Sequence, residues 1–236
     1  MEKLFLRNEN NLRKLAIIIY NGAEYFYEKI LNGSLDTNFL IEELVSKKYM
    51  LGFSILPKEL KVQYLVAHRI LIQEGRLFEF LFKEMMNKVE VEGKPLYSVI
   101  NIDSVRNKKT GETKQIDLLF KDLMENQYYY VEIKLHNNHD TGKDSSIDTN
   151  IYSITNILEE QEGYKNIKSI LCFVKENIIT RKESKNFETL TGDEFLNRFV
   201  GISISFLYEI LESVKKDFNF DYKILDIIES VNKKTS

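Results

Sequence analysis

Asp117, Glu132 and Lys134 are the residues of this chain whose types and spacing could do chemistry together. In an extended strand, side chains two apart share a face. In Tyr128-Tyr129-Tyr130-Val131-Glu132-Ile133-Lys134-Leu135, a carboxylate and an ammonium therefore project to one side, and Val131 and Ile133 to the other. Asp117 lies on the preceding apolar segment, Gln115 to Phe120. The connection from Lys121 to Gln127 is short enough for a hairpin that sets Asp117 beside Glu132. Two neighbouring carboxylates are unfavourable unless they share a cation, and hard oxygen ligands in an open site suit Mg2+, which keeps several waters. Such an ion improves a bound water as a nucleophile and stabilises the charge on a pentacovalent phosphate, while an adjacent ammonium orients the water. The chemistry expected of this set is phosphodiester hydrolysis. A carboxylate and a lysine two apart also occur on the solvated face of ordinary strands, so the surrounding elements decide.

Those elements read as follows. Apolar residues recur at helical spacing from Asn10 to Asn32, then from Thr37 to Lys47, and again from Lys58 to Lys88, with a break expected near Gly75. After Glu92-Gly93-Lys94-Pro95 the pattern changes to extended segments rich in β-branched and aromatic residues: Tyr97 to Val105, Gln115 to Phe120 and Tyr128 to Leu135. A polar loop, His136 to Ser146, precedes a helix from Ile147 to Gln161 and a strand from Ile167 to Val174. Helices near Gly192 to Phe199 and from Ile204 to Lys216 follow. The fold class this predicts is α/β, a central mixed β-sheet flanked by helices with helical N- and C-terminal sections. Residues 1–236 are expected to form a single domain: a helical section over 1–66, a core over 67–200 and a helical section over 201–236.

Asp117 followed by Glu132-Ile133-Lys134 closely resembles the D…(D/E)-x-K signature of the PD-(D/E)xK nuclease superfamily, and the similarity extends from about Gln73 to Val174. The resemblance implies that Asp117 and Glu132 are metal carboxylates, that the backbone carbonyl of Ile133 is a further Mg2+ ligand, and that Lys134 is the catalytic lysine. The proline that often precedes the aspartate is Ile116 here. Gln73-Glu74-Gly75-Arg76-Leu77-Phe78-Glu79 is similar to the helix that many members place before the first strand, whose acidic residue reaches the metal. Glu79 fits that position, with Glu74 as its competitor. Five residues apart on a helix, the two point in different directions.

Within the superfamily the chain looks most like a type II restriction endonuclease. It is compact, carries no G-x-x-x-x-G-K-[ST] phosphate loop, and its His139-Asp140-Thr141-Gly142-Lys143 resembles a segment found after the motif in some of those enzymes. By that resemblance His139, Asp140, Thr141 and Lys143 touch double-stranded DNA, although a polar loop before a helix is ordinarily solvated and supplies its cap. Arg106, Lys108 and Lys109 cluster with Lys114 at an expected strand tip, where they could track phosphates. The resemblance further implies a homodimer cutting both strands of a palindrome and a cognate DNA methyltransferase acting on the same site. A structure-specific or repair nuclease of the same fold, and a non-catalytic DNA-binding module, are the other readings.

Composition narrows the classes. With 33 basic and 36 acidic residues among 236, net charge is -3, so any polyanion partner must be held by local basic patches. The single cysteine, Cys172, makes no internal disulfide and belongs to no Cys-x-x-Cys pair, which fits a reducing cytoplasm. No stretch approaches the ~18 apolar residues of a membrane span, so no membrane association is expected.

Overall fold

In the computed structural model, residues 9–46, 56–136, 141–160, 162–176 and 184–235 are described. Helix α1 (Glu9–Lys29) ends in a wider π turn at Ile30–Ser34, and α2 (Thr37–Ser46) follows. Helix α3 (Lys58–Lys88) runs unbroken through Gly75. The expected interruption is missing because one glycine costs a helix only about 1 kcal/mol. That is small beside the burial of Leu77, Phe78, Leu81, Phe82 and Met85 along the same stretch.

Strands β1 (Glu90–Val91) and β2 (Lys94–Pro95) form a short hairpin. The chain then enters a five-stranded sheet through β3 (Tyr97–Val99). The predicted strand over Tyr97 to Val105 is in fact two. Beyond β3 the chain leaves the sheet and returns as β4 (Ser104–Arg106), which pairs only with β5 (Thr113–Gln115) in a separate ribbon. Strands β6 (Leu118–Asp122) and β7 (Gln127–Lys134) rejoin the sheet as an antiparallel hairpin. Asp122 makes its turn: its carboxylate accepts from the backbone N–H of Met124 at 2.9 Å and of Glu125 at 3.0 Å, and Asn126 takes the left-handed φ of 53°.

Helix α4 (Thr141–Glu160) crosses back to β8 (Lys168–Phe173), which lies parallel to β7, and β9 (Glu188–Thr191) adds parallel to β8. The sheet order is β3-β6-β7-β8-β9, mixed as expected. Helix α4 starts six residues before the predicted Ile147, so its N-terminus takes up the C-terminal half of what read as a loop. Strand β9 was not expected. The chain turns directly from it into α5 (Gly192–Phe195), where Thr191 and Glu194 form a reciprocal capping box. Gly192 has to be small because a Cβ there would lie 2.6 Å from the carbonyl oxygen of Val174. A π turn at Leu196–Val200, α6 (Ile204–Asp217) and α7 (Phe220–Thr235) complete the chain.

Contacts divide the chain into two compact units. The first takes residues up to Ile18 and Phe78–Leu207. One face of its sheet carries Leu119, Tyr130, Leu171 and Phe173, packed under Ile151, Ile154, Ile157 and Leu158 of α4. The other carries Phe120 and Tyr129, stacked at 5.1 Å and met edge-on by Phe199, while Phe82 of α3 stacks on Phe195 at 5.0 Å. Each fully buried ring of this kind contributes roughly 1.5–3 kcal/mol. The second unit, Ile19–Leu77 with Tyr208–Ser236, is helical. Its core joins Ile30, Leu35, Leu40, Val62, Leu65, Val66, Phe220 and Val231. Among the described residues no helix is long and apolar enough to cross a membrane.

Candidate active site

The site lies where β6 begins and β7 ends. Because Leu118 faces Val131 and Leu119 faces Tyr130, the antiparallel register carried one step further sets Asp117 opposite Glu132. Both belong to the α4 side of the sheet, since Leu119 and Tyr130 line the α4 core. Asp117 lies just before β6, so no ladder bond reaches Ile133 from that side. Instead the backbone N–H of Ile133 donates to Asp117 Oδ2 at 2.8 Å. The N–H and C=O of one strand residue point to the same neighbouring strand. The Ile133 carbonyl is therefore turned to the edge where the Asp117 carboxylate sits.

Glu132 is only 5% exposed, and both of its oxygens are engaged from its own strand. Lys134 Nζ donates to Oε1 at 2.6 Å, and the Tyr130 hydroxyl donates to Oε2. Tyr130, Glu132 and Lys134 occupy alternate positions, so one face presents phenol, carboxylate and ammonium in a row. The role of the Tyr130 hydroxyl was not foreseen, because an aromatic run in a buried strand reads first as core. The signal was nevertheless present, two residues before Glu132 on the same face.

The electrostatics follow from this crowding. Burial, and then the charge of Glu132, push the Asp117 carboxyl up from the usual 3.8 to about 7; Glu79 adds to the rise, while Lys134 and the Ile133 N–H oppose it. For Lys134 burial alone would lower the pKa, but Glu132, Asp117 and Glu79 together hold it above its ordinary value. The lysine is thus kept as an ammonium. Glu79 therefore lies close enough to act on both Asp117 and Lys134, whereas the charge of Glu74 acts on Tyr27 and Tyr208.

Among the described residues no three His, Cys, Asp or Glu side chains converge into a cage for an ion. What the site offers is two apposed carboxylates with a carbonyl at their edge and a carboxyl made costly to ionise by its burial and then by its neighbour. That donor set suits a hard divalent cation that keeps part of its water shell, as Mg2+ does, and does not suit a closed zinc site.

Arg106, Lys108 and Lys109 lie exposed at the turn of the β4–β5 ribbon. The turn is built on Asn107, whose side-chain oxygen accepts from the N–H groups of Lys109 and Thr110, with Gly111 at φ 75°. His139 and Asp140 lie outside the described residues, and Thr141 and Lys143 fall in the first turn of α4.

Tyr130→Phe isolates one bond of the row. The ring is fully buried and the variant keeps its shape, so only the donor to Glu132 is lost. Leaving a buried carboxylate oxygen without its partner is expected to cost about 1–3 kcal/mol. Urea unfolding of the two proteins at pH 8 reads this directly.

The model of the family described as type II restriction endonuclease, HinfI, matches residues 34–219, a span that includes the whole of this site. No curated protein matches the chain.

Proposed function

The chain belongs to the HinfI family of type II restriction endonucleases, and from that premise we propose that it is a Mg2+-dependent endonuclease hydrolysing phosphodiester bonds of double-stranded DNA at a specific sequence. The observation that carries this reading is the apposition of Asp117 and Glu132 across the β6–β7 hairpin with Lys134 bonded to Glu132. In this reading Asp117 and Glu132, with the carbonyl of Ile133, would hold the ion. Bound there, Mg2+ would supply positive charge against the negative charge that develops on the phosphate and a water of lowered pKa. Lys134, kept protonated, offsets the negative charge gathered at the site and is positioned to orient the attacking water. Glu79 contributes a third carboxylate, whose charge already acts on Asp117 and Lys134.

The β4–β5 ribbon is the element suited to enter a groove, since a two-stranded ribbon fits the major groove of B-DNA. Arg106, Lys108 and Lys109 at its turn are assigned to phosphates, and His139 and Asp140, with Thr141 and Lys143 of the first turn of α4, to the same duplex. Cutting both strands of a palindrome calls for two sites related by a two-fold axis, hence a homodimer. A methyltransferase marking the same sequence would protect the host DNA. The single buried cysteine accords with a cytoplasmic enzyme.

The test is incubation of the purified protein with unmethylated phage DNA and Mg2+. Discrete fragments whose ends share one sequence are expected. Cutting confined to branched or damaged DNA would transfer the site to a structure-specific or repair nuclease. DNA bound but left intact would make the protein a non-catalytic module.

A further inference from the structure

A cleft of about 510 Å3 opens beside Glu132, lined by Lys114 of β5 on one wall and by Ser146, Ile147, Thr149 and Asn150 of α4 on the other. Its walls carry an amine, hydroxyls and a carboxamide, with one apolar side chain. Those groups bond sugar and phosphate oxygens readily, and contacts of that kind fix a strand in place whatever its sequence. A phosphodiester drawn toward Glu132 and Asp117 meets two carboxylates, and the ammonium of Lys134 is already committed to Glu132 at 2.6 Å. Among the described lining residues, Lys114 is the cation of the opposite wall.

The fold holds Lys114 in that place. It is the cross-strand partner of Val105, so the two share a face of the ribbon, and Val105 is buried in the core beneath α4. Lys114 is accordingly turned toward α4, with its side chain only 21% exposed. Its present partner is Glu112, at 2.7 Å and 57% exposed. An ion pair with so exposed a carboxylate is worth little, about 0–1 kcal/mol. A phosphate entering the cleft can replace it.

We propose that this cleft seats the sugar–phosphate backbone of the strand being cut, and that Lys114 grips a phosphate next to the scissile bond. The assignment rests on the nuclease reading given above and adds to it a binding wall. It makes Lys114 a positioning residue whose contribution is electrostatic and lies in DNA affinity.

The experiment is binding of a short fluorescent DNA duplex to full-length protein in EDTA, over a range of salt concentrations, for wild type, Lys114→Gln and Lys114→Arg. One lost phosphate contact is expected to weaken binding about tenfold near 0.1 M salt and to reduce the slope of log K against log salt by about one. Lys114→Arg should restore both, which a merely structural role would not predict for the slope. A wild-type slope in Lys114→Gln, with cleavage by wild type intact, overturns the cleft assignment and leaves the nuclease reading standing. Failure of wild type itself to bind or cut DNA would instead remove the reading on which the assignment rests.

Discussion

A Glu132→Gln enzyme is expected to cut duplex DNA on the order of 10³-fold more slowly than wild type at saturating Mg2+. Glutamine keeps the volume and one carbonyl oxygen, so the buried site remains filled and Tyr130 retains an acceptor. What disappears is the negative charge. The variant cannot share a divalent cation with Asp117, and Lys134 loses the partner it holds at 2.6 Å. Because the substitution acts on charge at the reacting centre, DNA affinity in EDTA should stay within a few-fold of wild type or rise, as a polyanion is repelled less. Turnover measured alongside binding on the same preparations checks both halves. Equal losses in the two would point to misfolding.

Asp117→Asn should move stability and activity in opposite directions. The folded-state carboxyl titrates near 7 against an ordinary 3.8, chiefly because it is buried and secondly because Glu132 lies opposite. The folded protein therefore holds a proton that the unfolded chain releases, and keeping Asp117 ionised in the fold costs free energy. That cost is absent below the unfolded pKa, grows as pH rises through the interval and is complete above about 7. Asparagine carries no charge at any of these pH values and can still accept from the Ile133 N–H. Without metal, the variant should match wild type near pH 4 and exceed it by about 1–3 kcal/mol at pH 8, with Lys134 limiting the gain. Cleavage should nevertheless be lost, since the amide is a poor ligand for Mg2+. Denaturant unfolding in EDTA at pH 4, 6 and 8 gives the stability half. A variant less stable than wild type at pH 8 would mean that Asp117 holds the fold together instead of straining it.

How far the site could be read from the sequence depends on how local its geometry is. Glu132 and Lys134 share a face because strands alternate, and Asp117 meets Glu132 because the turn at Asp122 is short. Both relations are carried by a few neighbouring residues. The Tyr130 hydroxyl obeys the same alternation, but an apolar ring in an apolar run hides its polar end. The β4–β5 ribbon was less visible. Ile100 and Ile102 keep the segment apolar past β3 and pack against the core from a loop, and no glycine or proline marks where the chain leaves the sheet. The start of α4 was misplaced because Thr141 to Ser146 contains no apolar residue to show a helical period. Strand β9 is four residues at the sheet edge, too short for a pattern. Helix α7 falls in the helical section expected over 201–236, and its own signal is Phe220, Ile224, Ile227, Ile228 and Val231, which recur at helical spacing and pack into the second core.

Under the proposed mechanism, Asp117 and Glu132 jointly hold the ion that cleavage requires. A mapped DNA site cut by wild type should stop being cut on addition of EDTA and resume when Mg2+ is restored in excess, while Asp117→Asn and Glu132→Gln, both still binding the duplex, leave it intact throughout. Cutting that persists in EDTA, or either variant cutting at the wild-type rate, would contradict the account.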